Sequence, residues 1–103
     1  MAVNVTTIPA ERKVIIRIDG RFDFDVHREF RDAYRREGGP ETEYVVDLGG
    51  TQYMDSSALG MLLLLRDHAE RNGARVRVIN CGPEIRKILT IANVDRLLEI
   101  ASE

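Results

Sequence analysis

The chain has 103 residues, 15 of them basic and 17 acidic, for a net charge of −2, and 44% of it is hydrophobic. This length suits one domain with one real core, and the hydrophobic share excludes a disordered chain. The near-balanced charge does not point to nucleic acid or to an anionic membrane as a partner.

In chain order, Val3 to Ile8 alternates loosely and is closed by Pro9, which suits an edge strand. Val14 to Ile18 ("VIIRI") is a β-branched run ended by the turn signal Asp19-Gly20. Val26, Phe30, Ala33 and Tyr34 fall at helical spacing, and Gly38-Gly39 stops that helix. Its charges, with Arg28, Arg31, Arg35 and Arg36 interleaved by Glu29, Asp32 and Glu37, read as a solvated face. The softest stretch, Gly38 to Glu43 ("GGPETE"), is a loop and not a domain boundary.

Tyr44 to Leu48 ("YVVDL") reads as a short buried strand. Ser57 to Asn72 reads as a helix with Gly73 at C′, and Met61, Leu59, Leu62 and Leu63 as its core contacts. Arg75 to Ile79 ("RVRVI") alternates as a strand, with the valines and the isoleucine expected on one face. Pro83 suits a first helical turn ahead of the stripe Ile85, Ile88, Leu89 and Ala92, and Asn93 is a left-handed terminator. "VDRLLEI" then closes an edge as a short helix or strand. The order β-β-α-β-α-β-α, with right-handed crossovers between helix-linked strands, predicts an α/β domain over residues 1–103. Its sheet is mixed, with four or five strands, and helices pack on it.

Several chemistries are disfavoured. The lone Cys81 excludes an internal disulfide and cannot make a structural zinc site by itself. A secretory signal is not evident, and the apolar run Leu59 to Leu65 is far short of the ~20 residues that span a bilayer, so a cytoplasmic protein without membrane insertion is expected. No glycine-rich phosphate loop occurs, and neither a cofactor nor a metal is expected. A serine nucleophile would need a base. The histidines are His27 and His68, both read as surface residues, and His68 lies about 16 Å along the helix from Ser57. The chain does not read as an enzyme.

What remains is "MDSSALG", in which Asp55, Ser56 and Ser57 stand at the mouth of an apolar helix. Asp and Ser are preferred N-caps, and a helix start also offers N–H groups and positive potential to an anion. On local pattern the capping and chemical readings both stand.

The longer stretch "VVDLGGTQYMDSSALGMLLLL" resembles the central motif of STAS domains, and in particular of bacterial anti-sigma factor antagonists. "IIRIDGRFDF" and "NGARVRVINCGPEIRKILTIANVDRLLEI" are similar to further parts of that family, so the likeness runs over nearly the whole chain. The resemblance implies a binding module switched by phosphorylation. Unphosphorylated, it would bind an anti-sigma factor or serine kinase; phosphorylated, it would release that partner until a phosphoserine phosphatase resets it. By position the acceptor is Ser57, with Ser56 second, and the implied partner-facing set is Asp23, Met54, Asp55, Ser56, Ser57 and Leu59. Three residues depart from the family pattern: Arg21 where Glu is usual, Ala58 for Gly, and Asn93 for Gly. A phosphate there would meet the N–H groups of the first helical turn and the repulsion of Asp55 and Asp23, moving charge more than shape. The alternative carried by the same fold is an adapter subunit of an ABC-type lipid transporter or of a signalling complex.

Overall fold

The computed structural model describes residues 2–101. Strand β1 (Val3–Ile8) turns through a short 3-10 segment and returns as β2 (Lys13–Ile18), antiparallel, with Val3 opposite Ile18. Two further strands run parallel to β2 after helical crossovers: β4 (Glu43–Asp47) and β6 (Arg75–Ile79). Between them lie β3 (Gly20–Phe22), α1 (His27–Arg36), β5 (Thr51–Met54) and α2 (Ser56–Arg71). Helix α3 (Pro83–Ile91), a 3-10 turn at Val94–Arg96 and β7 (Glu99–Ile100) complete the described chain. The main sheet has the order β1-β2-β4-β6-β7, mixed and five-stranded as expected.

The core lies on one face of this sheet. Val14, Ile16 and Ile18 of β2, Tyr44 and Val46 of β4 and Val78 of β6 share that face and are buried. Phe30, Ala33 and Tyr34 of α1 and Ala58, Met61, Leu62, Leu65 and Ala69 of α2 close over it. Phe22 and Phe30 meet with ring centroids 5.3 Å apart. Leu63, expected in the core, is half-buried, because helical geometry gives the inward face to Leu62 and Leu65. Ile79 also departs from expectation. Side chains alternate along a strand, so it lies on the face opposite Val76 and Val78.

The terminators act as read. Gly73 follows α2 at φ 65° and Asn93 follows α3 at φ 62°, both left-handed, and Pro83 occupies the first turn of α3. His68 is a correction: it is half-buried, its ring 4.9 Å from Tyr34 and 5.9 Å from Tyr44. It fills a gap between α2, α1 and the sheet.

Candidate functional site

The chain leaves β2 and β4, which are parallel neighbours, at the same edge of the sheet. The two outgoing segments therefore run side by side, and they zip into a second, two-stranded parallel sheet of β3 and β5. Phe22 pairs with Met54, and the Asp55 N–H donates to the Phe22 carbonyl at 3.4 Å. The next residues on the two strands are thus Asp23 and Asp55, at the carboxyl ends of parallel strands where α/β sheets gather functional loops. Asp23 and the 51–57 segment share one end of the molecule.

Asp55 is the N-cap of α2. Its Oδ1 accepts the N–H of Ser57 at 3.0 Å, the N–H of Ala58 at 3.2 Å and the Ser57 hydroxyl at 2.6 Å. The helix consequently begins at Ser56, one residue before the expected start, and the capping role falls to Asp55 alone. These bonds, the Ser57 hydroxyl first, hold the Asp55 carboxyl below the usual aspartate range, and the charge of Arg21 adds to the effect. Two of the N–H groups expected to meet a phosphate are therefore already occupied. An anion on Ser57 would have to compete with Asp55 for them.

Ser56 is exposed, whereas Ser57 is half-buried with its hydroxyl directed by Asp55. Asp23 is nearly buried at 9% exposure. Its Oδ1 caps the 3-10 turn Phe24–Val26 through the Asp25 N–H at 3.0 Å, and its Oδ2 accepts from Arg21 Nε at 3.0 Å. Arg21 also lies over the Tyr53 ring, 4.1 Å from its centroid. The site thus carries a cation that phosphate could meet, beside the two aspartates.

Two members of the expected partner-facing set differ from the rest. Met54 is 5% exposed and belongs to the core, because the β5 pleat turns it inward opposite Phe22. Leu59 is half-buried against the core. Sequence reasoning passed over Tyr53, Phe24 and Leu64, which are 43%, 59% and 59% exposed. The signal for Phe24 was present in "GRFDFD", where an aromatic directly follows the capping Asp23. Among the described residues no cluster of His, Cys, Asp and Glu could hold a metal ion, and no helix is long and apolar enough to cross a membrane.

A fold of this order, with a capped serine pair at the carboxyl ends of its parallel strands, defines a STAS-type module. The family model described as "Mlab, STAS domain" matches residues 7–99, and the chain belongs to the STAS-domain family. A STAS-domain containing protein of Pseudomonas aeruginosa (strain UCBPP-PA14) is 50% identical over 99 residues, which is 94% of this chain and 98% of that protein. Among solved structures, an anti-sigma factor antagonist from Mycobacterium paratuberculosis superposes with a TM-score of 0.80 at 13% identity, over 98% of this chain and 85% of that one. The Bacillus cell fate determinant SpoIIAA in its phosphorylated form gives 0.68 at 20% identity, over 99% and 93%. At these identities the last two are likenesses of fold.

Proposed function

We propose that the chain, as one STAS domain over residues 1–103, is a cytoplasmic anti-sigma factor antagonist switched by phosphorylation of Ser57. The observation that carries this reading is the Ser57 hydroxyl, held at 2.6 Å by Asp55 on the first turn of α2. Its hydrogen is engaged, which leaves an oxygen lone pair for an incoming γ-phosphoryl group. Asp55 is too acidic to be a strong base, so its role is to aim the hydroxyl. Ser56, one position earlier, is not aligned in this way, because the carboxylate faces Ser57 and Ala58.

Unphosphorylated, the module would bind an anti-sigma factor or serine kinase through Asp23, Asp55, Ser56, Ser57 and the half-buried Leu59. Phosphate adds about −1.5 to −2 charge within reach of Asp55, and burying it in an interface tuned to a neutral hydroxyl would expel the partner. A phosphoserine phosphatase would reverse the step. The test is phosphopeptide mapping after incubation with the cognate kinase and ATP. Ser57→Ala should stay folded, since it removes one hydroxyl bond worth about 1 kcal/mol, should resist phosphorylation and should bind the partner constitutively. Ser57→Glu should weaken that binding, and Ser56→Ala should still accept phosphate. Phosphate on Ser56 alone would overturn the residue assignment. Phosphate on neither serine, with partner binding unchanged in Ser57→Glu, would return the chain to the adapter reading.

A further inference from the structure

The charges of helix α1 interleave along the sequence, yet the fold sorts them. At 100° per residue Arg28, Arg31 and Arg35 form one stripe, and Glu29, Asp32 and Arg36 form the next. The acidic stripe turns toward β1, where Glu29 and Asp32 line a groove with Val3 and Val5, and Arg36 approaches Asp32 at 3.9 Å. The basic stripe turns the other way, toward α2.

On that side lies a cleft of about 100 Å³ between the two helices, floored by Phe30, Tyr34 and Met61. Phe24 and Leu64 form its rim and are each 59% exposed, although most large apolar side chains of this chain are buried. Phe24 is held in place by stacking on His27, with centroids 3.9 Å apart. Arg31 lines the same cleft, and its Nε is buried with no hydrogen-bond partner. Arg35 and Arg71 bring their charge to bear on the neighbouring Tyr34 and His68. Among the described residues Arg31, Arg35 and Arg71 have no carboxylate partner, as is also true of Arg28, Arg75 and Arg96, whereas Arg12, Arg17, Arg21, Arg36, Arg66 and Arg77 are paired. In a chain of net charge −2 this is a local excess of positive potential around an apolar cleft.

We infer that the α1–α2 cleft is a docking surface for a protein helix that presents apolar side chains flanked by carboxylates. The apolar rim and floor call for an aliphatic or aromatic anchor. The arginines without carboxylate partners around the cleft call for acidic groups beside it. A third helix is the natural occupant of a groove between two. The surface adjoins the serine site through Phe24, which follows Asp23, but the inference does not rest on phosphorylation of Ser57.

The probe is a labelled helical peptide with leucines at i, i+3, i+4 and i+7 and glutamates at the flanking positions, titrated into the full chain by fluorescence anisotropy and mapped by amide NMR. Binding should perturb Phe24, Arg31, Tyr34 and Leu64. Leu64→Glu and the double variant Arg31→Glu/Arg35→Glu should each weaken it by about tenfold or more, as should exchanging the peptide's glutamates for lysines. All of these changes are at exposed or half-exposed positions, and circular dichroism would confirm that the variants are folded. The inference is overturned if the acidic peptide does not bind at millimolar concentration, if the lysine peptide binds as well, or if the perturbed amides lie elsewhere. A polyphosphate that binds the arginines as tightly as the peptide, with no sensitivity to Leu64→Glu, would overturn it too and make the patch an anion site.

Discussion

Met54 separates two roles that the motif alone runs together. It directly precedes Asp55 and would be a natural partner contact, but the structure buries it to 5% exposure in the core, opposite the fully buried Phe22. Met54→Ala removes Cγ, Sδ and Cε from that environment. At about 0.8 kcal/mol for each buried methylene-sized group, the lost transfer energy is ~2.4 kcal/mol, and an unfilled cavity brings the cost to about 3 kcal/mol. For a domain of this size that lowers Tm by roughly 12–24 °C. Met54→Leu nearly conserves volume and should cost less than ~1.5 kcal/mol. Thermal unfolding followed by circular dichroism, with urea titration as a second measure, tests both variants. A Tm drop below about 4 °C for Met54→Ala, equivalent to under ~1 kcal/mol, would refute the burial argument. Weakened partner binding in both variants at unchanged Tm would show that the side chain faces outward after all.

The Asp55 carboxyl, held low chiefly by the Ser57 hydroxyl, gives a pH signature. Its contribution to stability is complete above the unfolded aspartate value of about 3.9 and is lost as pH falls through the lower folded value. Carboxyl carbon NMR should show Ser57→Ala raising that midpoint, and an unchanged midpoint would mean that the hydrogen bond is not formed. His68 works in the opposite sense: burial first, then Arg71 and Arg35, disfavour its charged form. The unfolded chain takes up a proton near pH ~6.5 while the folded one resists, so stability falls as pH drops below that value. His68→Gln should flatten this limb in urea unfolding, and a limb of unaltered slope would reject the assignment.

The three central strands were legible because burial on the sheet face demands apolar residues in tight runs. "VIIRI", "YVVDL" and "RVRVI" fall within one residue of β2, β4 and β6. β3 and β5 were not legible. "GRF" and "TQYM" carry no usable alternation, and these strands exist because two parallel neighbours send their chains out of the sheet together. The same pairing brings Asp23 to Asp55, a proximity that follows from topology and not from either segment's composition. The leucine run of α2 hid its own period, since "LLLL" supplies an apolar residue to every face and only the packed structure leaves Leu64 outside.

The site shows where local reasoning stops. Asp55 and the serines were rightly placed at a helix start, but which of them caps depends on a backbone turn that shifts the first helical residue by one. Arg21 could be seen as an added positive charge, yet its meaning lies in its contacts with Asp23, just past the end of its own strand, and with Tyr53 on the neighbouring one. Helix α1 makes the point most sharply. Its charges interleave along the chain, four arginines with Glu29 and Asp32, but a receptor meets one side of a helix at a time. Glu29 and Asp32 then belong to the β1 groove and Arg31 to the α2 cleft, so a helix whose charges interleave in sequence carries opposite signs to two neighbouring surfaces.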